Sequence, residues 1–361
     1  MRNCLIYLNQ PGIPSWIVHR NGSWCRKQGM RLIGPEIDYP LDEYSRKIID
    51  SAANQSGIVI NEGHLSFFYS PSSQDNTFFL TNRCNSNCIM CPSSENSRTI
   101  PFNLDPLLIE EEIKCLPPDA GNIVITGGEP FLVTPSLMAL LDGLKRFSND
   151  TRYLLLTNGR ALCIPEIVAE FLFHKPDHVI LGIPVHGSTP EIHDLITQAP
   201  GSFAQTWAAL RIAKMHNIPL ELRIVVSALN LTDITTLADS IVSKLSSVNR
   251  VVFIGLEMTG NAATNAQRLW VPYSKAFQAC KKAIFRLFQQ GIDVRLYNFP
   301  LCAVEKEFHP LCHRSISTYK IAFAPECQTC SLHPICGGIF RSSIRYAAKD
   351  LKVNHEKLLF P

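Results

Sequence analysis

Cys84, Cys88 and Cys91 stand in the run RCNSNCIMC, a C-x3-C-x2-C frame. Three soft thiolates in one short loop suit an iron–sulfur cluster, or, less well, zinc. A structural zinc site wants four ligands, usually as two separated pairs. The next cysteine is Cys115, inside a predicted helix. Three ligands offered to a four-iron cluster leave one iron open, which makes a reactive site rather than an electron wire. A second group, Cys327, Cys330 and Cys336, lies in PECQTCSLHPICGG as C-x2-C-x5-C. Its fourth ligand must come from upstream, where Cys302 and Cys312 are the candidates.

These residues must be positioned by a chain of 361 residues with 46% hydrophobic and 18% charged residues, enough for a sizeable buried core. A length of this kind fits one large domain and a small one. The formal charge of +3 gives no case for a nucleic-acid or membrane-surface partner. The apolar stretch Cys4–Leu8 is too short for a signal-peptide core, and no run approaches the 18 apolar residues of a membrane span. A cytoplasmic location is therefore expected, where thiols stay reduced and clustered cysteines read as ligands.

From Thr77 onward apolar runs alternate with amphipathic ones. Strand-like runs begin with TFFLTN, NIVIT, YLLLTN, HVILGIPV, LELRIVV and RVVFIGLEM. Predicted helices follow around 107–116, 136–147, 165–173, 203–216, 232–245 and 272–290. Six strands buried on both faces, each followed by a helix, predict a parallel α/β sheet, and six units favour a partial barrel over a closed one. Chemistry then belongs at the C-terminal strand ends. Residues 1–74, broken by Pro11, Pro14, Pro35 and Pro40, predict a small, irregular α+β piece, with Pro71–Asn76 as linker. Residues 292–345 predict a small metal-ordered segment, and 346–361 a tail helix.

The three-cysteine frame after the first strand, with ITGGEP (Ile125–Pro130) after the second, resembles the radical S-adenosylmethionine (SAM) superfamily. The resemblance implies a partial (β/α)6 barrel of radical SAM type. It also implies a [4Fe-4S] cluster on Cys84, Cys88 and Cys91 whose open iron chelates SAM. Reductive cleavage would yield a 5′-deoxyadenosyl radical. Gly127 and Gly128 would let backbone approach the cofactor, and Glu129 would offer a carboxylate to its ammonium. Thr157, Asn158, Arg223 and Glu257, at or near other strand ends, are further candidate cofactor contacts. Pro184 and His186 fall where relatives often carry Ser and Asp; for His186 and His193 a structural role is the leaning. Cys302, Cys327, Cys330 and Cys336 resemble the auxiliary-cluster extension called SPASM or, when shorter, twitch. Phe340 replaces a later SPASM cysteine, which favours the shorter version with one auxiliary [4Fe-4S] cluster; a zinc site stays open.

The runs LTNRCNSNCIMCP, IPVHGSTPEIHDLITQAPGSF, GLEMTGNA and SISTYK resemble His-Xaa-Ser system radical SAM maturases of the HxsC type. That resemblance spans about residues 77 to 340. It implies action on a ribosomally made His-Xaa-Ser repeat peptide, beside a second radical SAM maturase and an electron donor of flavodoxin or ferredoxin type. This chain is not the repeat itself, since HLS, HGS and HRS occur once each, far apart. Two alternatives remain: a radical SAM enzyme acting on a small molecule, or a non-catalytic iron–sulfur or zinc protein.

Overall fold

The computed structural model describes residues 4–8, 16–19, 24–34, 37–51, 57–61, 64–70, 76–99, 101–114, 116, 120–147, 151–245, 248–317 and 320–354. Cys115 and the last seven residues of the expected tail helix lie outside them. The N-terminal segment carries seven strands: β1 (Cys4–Leu8), β2 (Trp16–His19), β3 (Trp24–Gln28), β4 (Arg31–Gly34), β5 (Ile37–Pro40), β6 (Gly57–Asn61) and β7 (His64–Tyr69). They form an antiparallel sheet in the order β5-β4-β3-β2-β1-β6-β7, with helix α1 (Glu43–Ser51) between β5 and β6. The expectation of an irregular piece is thus corrected. Pro40 closes edge strand β5, where a missing N–H is harmless, rather than breaking the sheet. Cys25, Leu32 and Ile58 are among its fully buried residues.

The strands that follow are β8 (Asn76–Phe79), β9 (Asn122–Thr126), β10 (Arg152–Leu156), β11 (Val179–Pro184), β12 (Leu220–Val225), β13 (Arg250–Ile254), β14 (Asp293–Tyr297) and β15 (Cys312–His313). They stand in one sheet in strict chain order, and the registered pairs are parallel. Helices α2 (Pro106–Lys114), α3 (Thr134–Phe147), α4 (Pro165–His174), α5 (Pro190–Thr197), α6 (Ser202–Met215) and α7 (Ile234–Lys244) fill the crossovers. After β13 come α8 (Gly260–Thr264), α9 (Ala266–Leu269) and α10 (Tyr273–Phe288). This is the partial-barrel α/β fold expected from the alternating runs. On α10 the buried residues Ala276, Phe277, Cys280, Ala283, Ile284 and Leu287 recur at helical spacing, so one stripe packs inward. Cys280 is a core residue, as is Cys25 in β3.

Two expectations change here. The sheet has eight strands, not six: Asp293–Tyr297, expected to open the C-terminal segment, pairs in parallel along all of β13. Val294 and Leu296 alternate with half-buried neighbours, so the strand buries one face fully like those before it. Its successor β15 is reached through a 3-10 stretch (Lys306–Leu311) rather than a helix, which is why the repeating rhythm is lost in the sequence. The tail helix is also corrected. After α11 (Ile344–Ala347) and one 3-10 turn, Leu351–Asn354 are extended or irregular. The N–H groups of Lys352 and Asn354 go to sulfur, as described below, instead of to helix carbonyls.

The chain divides into two compact units, interleaved in sequence. The first comprises residues 1–83, 101–156 and 166–180; the second comprises 84–100, 157–165 and 181–361.

Candidate functional site

Within the first unit, the GGEP turn follows β9 and is built directly on the backbone of Thr81–Arg83. Gly128 N–H donates to the Thr81 carbonyl at 2.6 Å, and Glu129 N–H to the Arg83 carbonyl at 2.7 Å. A Cβ on Gly128 would collide with the Arg83 carbonyl, and one on Gly127 would stand 2.5 Å from the Thr81 oxygen. Only glycine permits this approach. Glu129 is fully buried, and its Oε1 accepts the Phe131 N–H at 3.1 Å, capping a short 3-10 turn. The residue bonded to Arg83 is Cys84, so this turn sits on the chain immediately before the first cysteine.

Within the second unit, residues 84–91 form a loop fixed along its whole length. At its start, Asn158 Nδ2 donates to Asn85 Oδ1 at 2.7 Å, and Arg160 donates to the Asn85 carbonyl and to Ser86 Oγ. In the middle, Asn87 and Ile89 N–H groups donate to the Thr197 and Ile196 carbonyls at the end of α5, at 3.1 and 2.9 Å. At its end, α8 acts as a clamp. Asn261 Nδ2 reaches Asn87 Oδ1 (3.0 Å) and the Cys88 carbonyl (3.1 Å), while Asn261 N–H reaches the Cys91 carbonyl at 3.0 Å. Asn265 Nδ2 adds a bond to the Ile89 carbonyl at 3.3 Å. Gly260, at φ +55°, lets α8 start against Pro92, whose carbonyl a Cβ would strike. Ile89 and Met90 pack with Ile196, Leu256, Met258, Ala262 and Leu269.

The three thiols are half-buried and feel one another: burial, then Cys84 and Cys91, push the Cys88 thiol up to about 12, against the opposing Arg98. Arg98 bonds Cys91 Sγ at 3.2 Å and the Ser86 carbonyl at 3.0 Å. Half-buried thiols with a guanidinium against one sulfur fit a thiolate-bound iron–sulfur cluster, whose positive core would stabilise the thiolates that burial alone disfavours.

The second group also comes together, wholly inside the second unit. Cys302, Cys327, Cys330 and Cys336 line one shared pocket, with Leu332, Ile339, Leu351 and Val353 among its apolar walls. The strand pair β16 (Ile321–Ala322) and β17 (Ile339–Phe340) borders it. Backbone N–H groups face the sulfurs: Lys352 toward Cys302, Asn354 to Cys330 at 3.4 Å, and Gly338 to Cys336 at 3.4 Å. Cys312 is not among the lining residues and donates weakly to the Phe308 carbonyl at 3.9 Å. Among the described residues no group of three or more His, Cys, Asp or Glu side chains converges to hold one metal ion. A cubane would bring its own iron–sulfide core and be held by thiolates spread around it rather than converging on one point.

The other candidates are held by protein partners of their own. Thr157 is buried, with its Oγ1 accepting the Gly159 N–H at 3.0 Å. Arg223 is paired with Glu221, in a chain that continues through Arg250, Asp293 and Arg295. Glu257 meets Lys320 of the SISTYK run at 3.2 Å. His186 and His193 are buried, and His193 Nδ1 accepts the His186 N–H at 3.2 Å. Burial holds both imidazoles low, His193 at about 4, so both are neutral near pH 7. Asn261, Asn265 and Arg98 are the site residues that spacing did not single out; GLEMTGNA and the polar run after Cys91 contained them without showing that they fold back on the loop.

Residues 78–241 match the family model of the Radical SAM superfamily. The AdoMet-dependent heme synthase of Methanosarcina barkeri is 29% identical over 163 residues, covering 43% of this chain and 43% of that protein. The subtilosin biosynthesis protein AlbA of Bacillus subtilis is 31% identical over 170 residues, covering 46% of this chain and 36% of AlbA. The alignments thus span less than half the length of these relatives. Among solved structures, Streptococcus suis SuiB bound to its precursor peptide SuiA superposes with a TM-score of 0.50 at 13% identity, over 62% of this chain and 48% of SuiB. That likeness is one of fold.

Proposed function

We propose, from the premise that residues 78–241 are a radical SAM domain, that the chain is a maturase of a ribosomally made His-Xaa-Ser repeat peptide. The observation that carries the reading is the cysteine loop of residues 84–91, fixed at both ends and in the middle, with the GGEP turn built on the residues just before it. Bound there, a [4Fe-4S] cluster and SAM supply a 5′-deoxyadenosyl radical able to abstract a hydrogen atom. Cys84, Cys88 and Cys91 hold the cluster. Gly127, Gly128 and Glu129 serve the cofactor's amino-acid end, and Thr157 and Asn158 keep the next strand end in place. Arg223 and Glu257 are already met by protein charges, so cofactor contact from either requires sharing or exchange of its partner.

Cys302, Cys327, Cys330 and Cys336 hold an auxiliary [4Fe-4S] cluster in this reading. With four thiols around it that cluster has no open iron, and its role is electron transfer or stability. The role of AlbA in bacteriocin biosynthesis, and the run Ile183–Phe203, support a peptide substrate. A second radical SAM maturase and a flavodoxin- or ferredoxin-type donor complete the system. The 29% identity to a heme synthase favours a second reading, action on a small molecule. Mass spectrometry of a co-expressed His-Xaa-Ser peptide separates the two. A mass change that needs this protein and its three loop cysteines supports maturation. An unchanged peptide, with deoxyadenosine formed at the same rate in its absence, supports the small-molecule reading.

A further inference from the structure

We infer that Arg98 sets the reduction potential of the cluster held by Cys84, Cys88 and Cys91. The inference rests on the proposed cluster at those cysteines and concerns a residue outside the cysteine and GGEP motifs. Arg98 ends a short 3-10 turn (Glu95–Arg98), seven residues beyond the last cysteine. One guanidinium nitrogen lies 3.2 Å from Cys91 Sγ, and the other is held by the Ser86 carbonyl at 3.0 Å. The anchor fixes the fork, so the contact to sulfur does not depend on a freely rotating side chain. The turn itself is held to α8, because Glu95 N–H donates to Asn261 Oδ1 at 3.2 Å. No acidic side chain is paired with Arg98 in an ion pair among the described residues, so its charge is not cancelled locally.

An N–H donor on a ligand sulfur, and a positive charge beside the cluster, both stabilise the more negative, reduced state. Reduction here adds one electron, from a low-potential flavin or iron–sulfur donor, and takes the cluster from the 2+ to the 1+ state. Arg98 brings both effects to one thiolate, so it makes that electron easier to accept. It is a positioning and tuning residue, acting through Cys91.

The test is a redox titration, followed by electron paramagnetic resonance, of the reconstituted wild type, Arg98→Lys and Arg98→Met. All three are made with Cys327→Ala and Cys330→Ala, so that one cluster is observed. Iron content is measured alongside. The expected result is a potential that falls in the order wild type, Lys, Met, with iron content unchanged. Lys keeps the charge and loses the two-point grip, so it falls between. Equal potentials in the wild type and Arg98→Met, at equal iron content, would overturn the inference. Should Arg98→Met load poorly, wild type against Arg98→Lys decides, and equal potentials there overturn it as well. Absence of iron from the wild-type loop would instead sink the functional reading.

Discussion

A single methyl group at Gly128 tests how closely the first cysteine depends on the turn below it. The Arg83 carbonyl occupies the space a Cβ needs, so Gly128→Ala must displace the residue to which Cys84 is bonded. Overpacking of this kind costs about 1–3 kcal/mol. The expected outcome is a lower urea midpoint and at least a tenfold loss of deoxyadenosine formation; a variant with wild-type rates would separate the turn from the loop. Glu112 provides a second residue-scale test, on stability. It is buried in α2, and desolvation raises its carboxyl to about 8. Between its ordinary value and about pH 8 the folded chain keeps a proton that the unfolded chain has lost, so stability falls as pH rises. The buried His193 works the other way, with stability rising between about pH 4 and 6.5. The window from pH 6.5 to 8 therefore belongs to Glu112. Urea unfolding across it is expected to show a decline in the wild type that Glu112→Gln removes, and an undiminished decline in the variant would contradict this origin.

At the scale of elements, α8 is the piece whose removal should loosen the cysteines without touching them. Asn261 contributes two side-chain bonds to the loop and accepts a third from Glu95. At about 1 kcal/mol net per bond, Asn261→Ala costs roughly 2–3 kcal/mol of local order. Iron should leave the loaded variant at least several times faster under a chelator, while the auxiliary cluster's share leaves at the wild-type rate. Equal release of the first share would mean that α8 does not hold the loop. The sequence shows where the long elements are because their periodicity is strong: α3, α6 and α10 fall within about two residues of the runs that predicted them. It hides α5 and α8, short helices in runs for which no helix was predicted. It hides the N-terminal sheet for a different reason. Strands of four to six residues give little periodic signal, as in WCRKQ, where Cys25 is fully buried and Lys27 and Gln28 are not. Both cysteine groups were legible from spacing, since ligands in one loop must be near in sequence. The choice of Cys302 over Cys312 came from the resemblance and not from spacing, because it depends on which thiol reaches the pocket. Nor was the tail legible, where Lys352 and Asn354 give their N–H groups to sulfur.

For the whole molecule, the proposed function predicts two separable iron pools, one for each cysteine group. Anaerobically reconstituted protein should carry about eight irons as two cubanes. Alanine at Cys84, Cys88 and Cys91 should leave about four, and alanine at Cys327 and Cys330 should leave the other four. No helix among the described residues is long and apolar enough to cross a membrane. The measurement closest to the central claim is 5′-deoxyadenosine formed from SAM by the reconstituted, reduced protein, followed by chromatography and mass spectrometry. The expected result is deoxyadenosine in the wild type, its retention when Cys327 and Cys330 are alanine at a rate reduced by no more than the auxiliary role requires, and none when Cys84, Cys88 and Cys91 are alanine. Deoxyadenosine at the wild-type rate in that triple variant would contradict a radical SAM centre at these three cysteines.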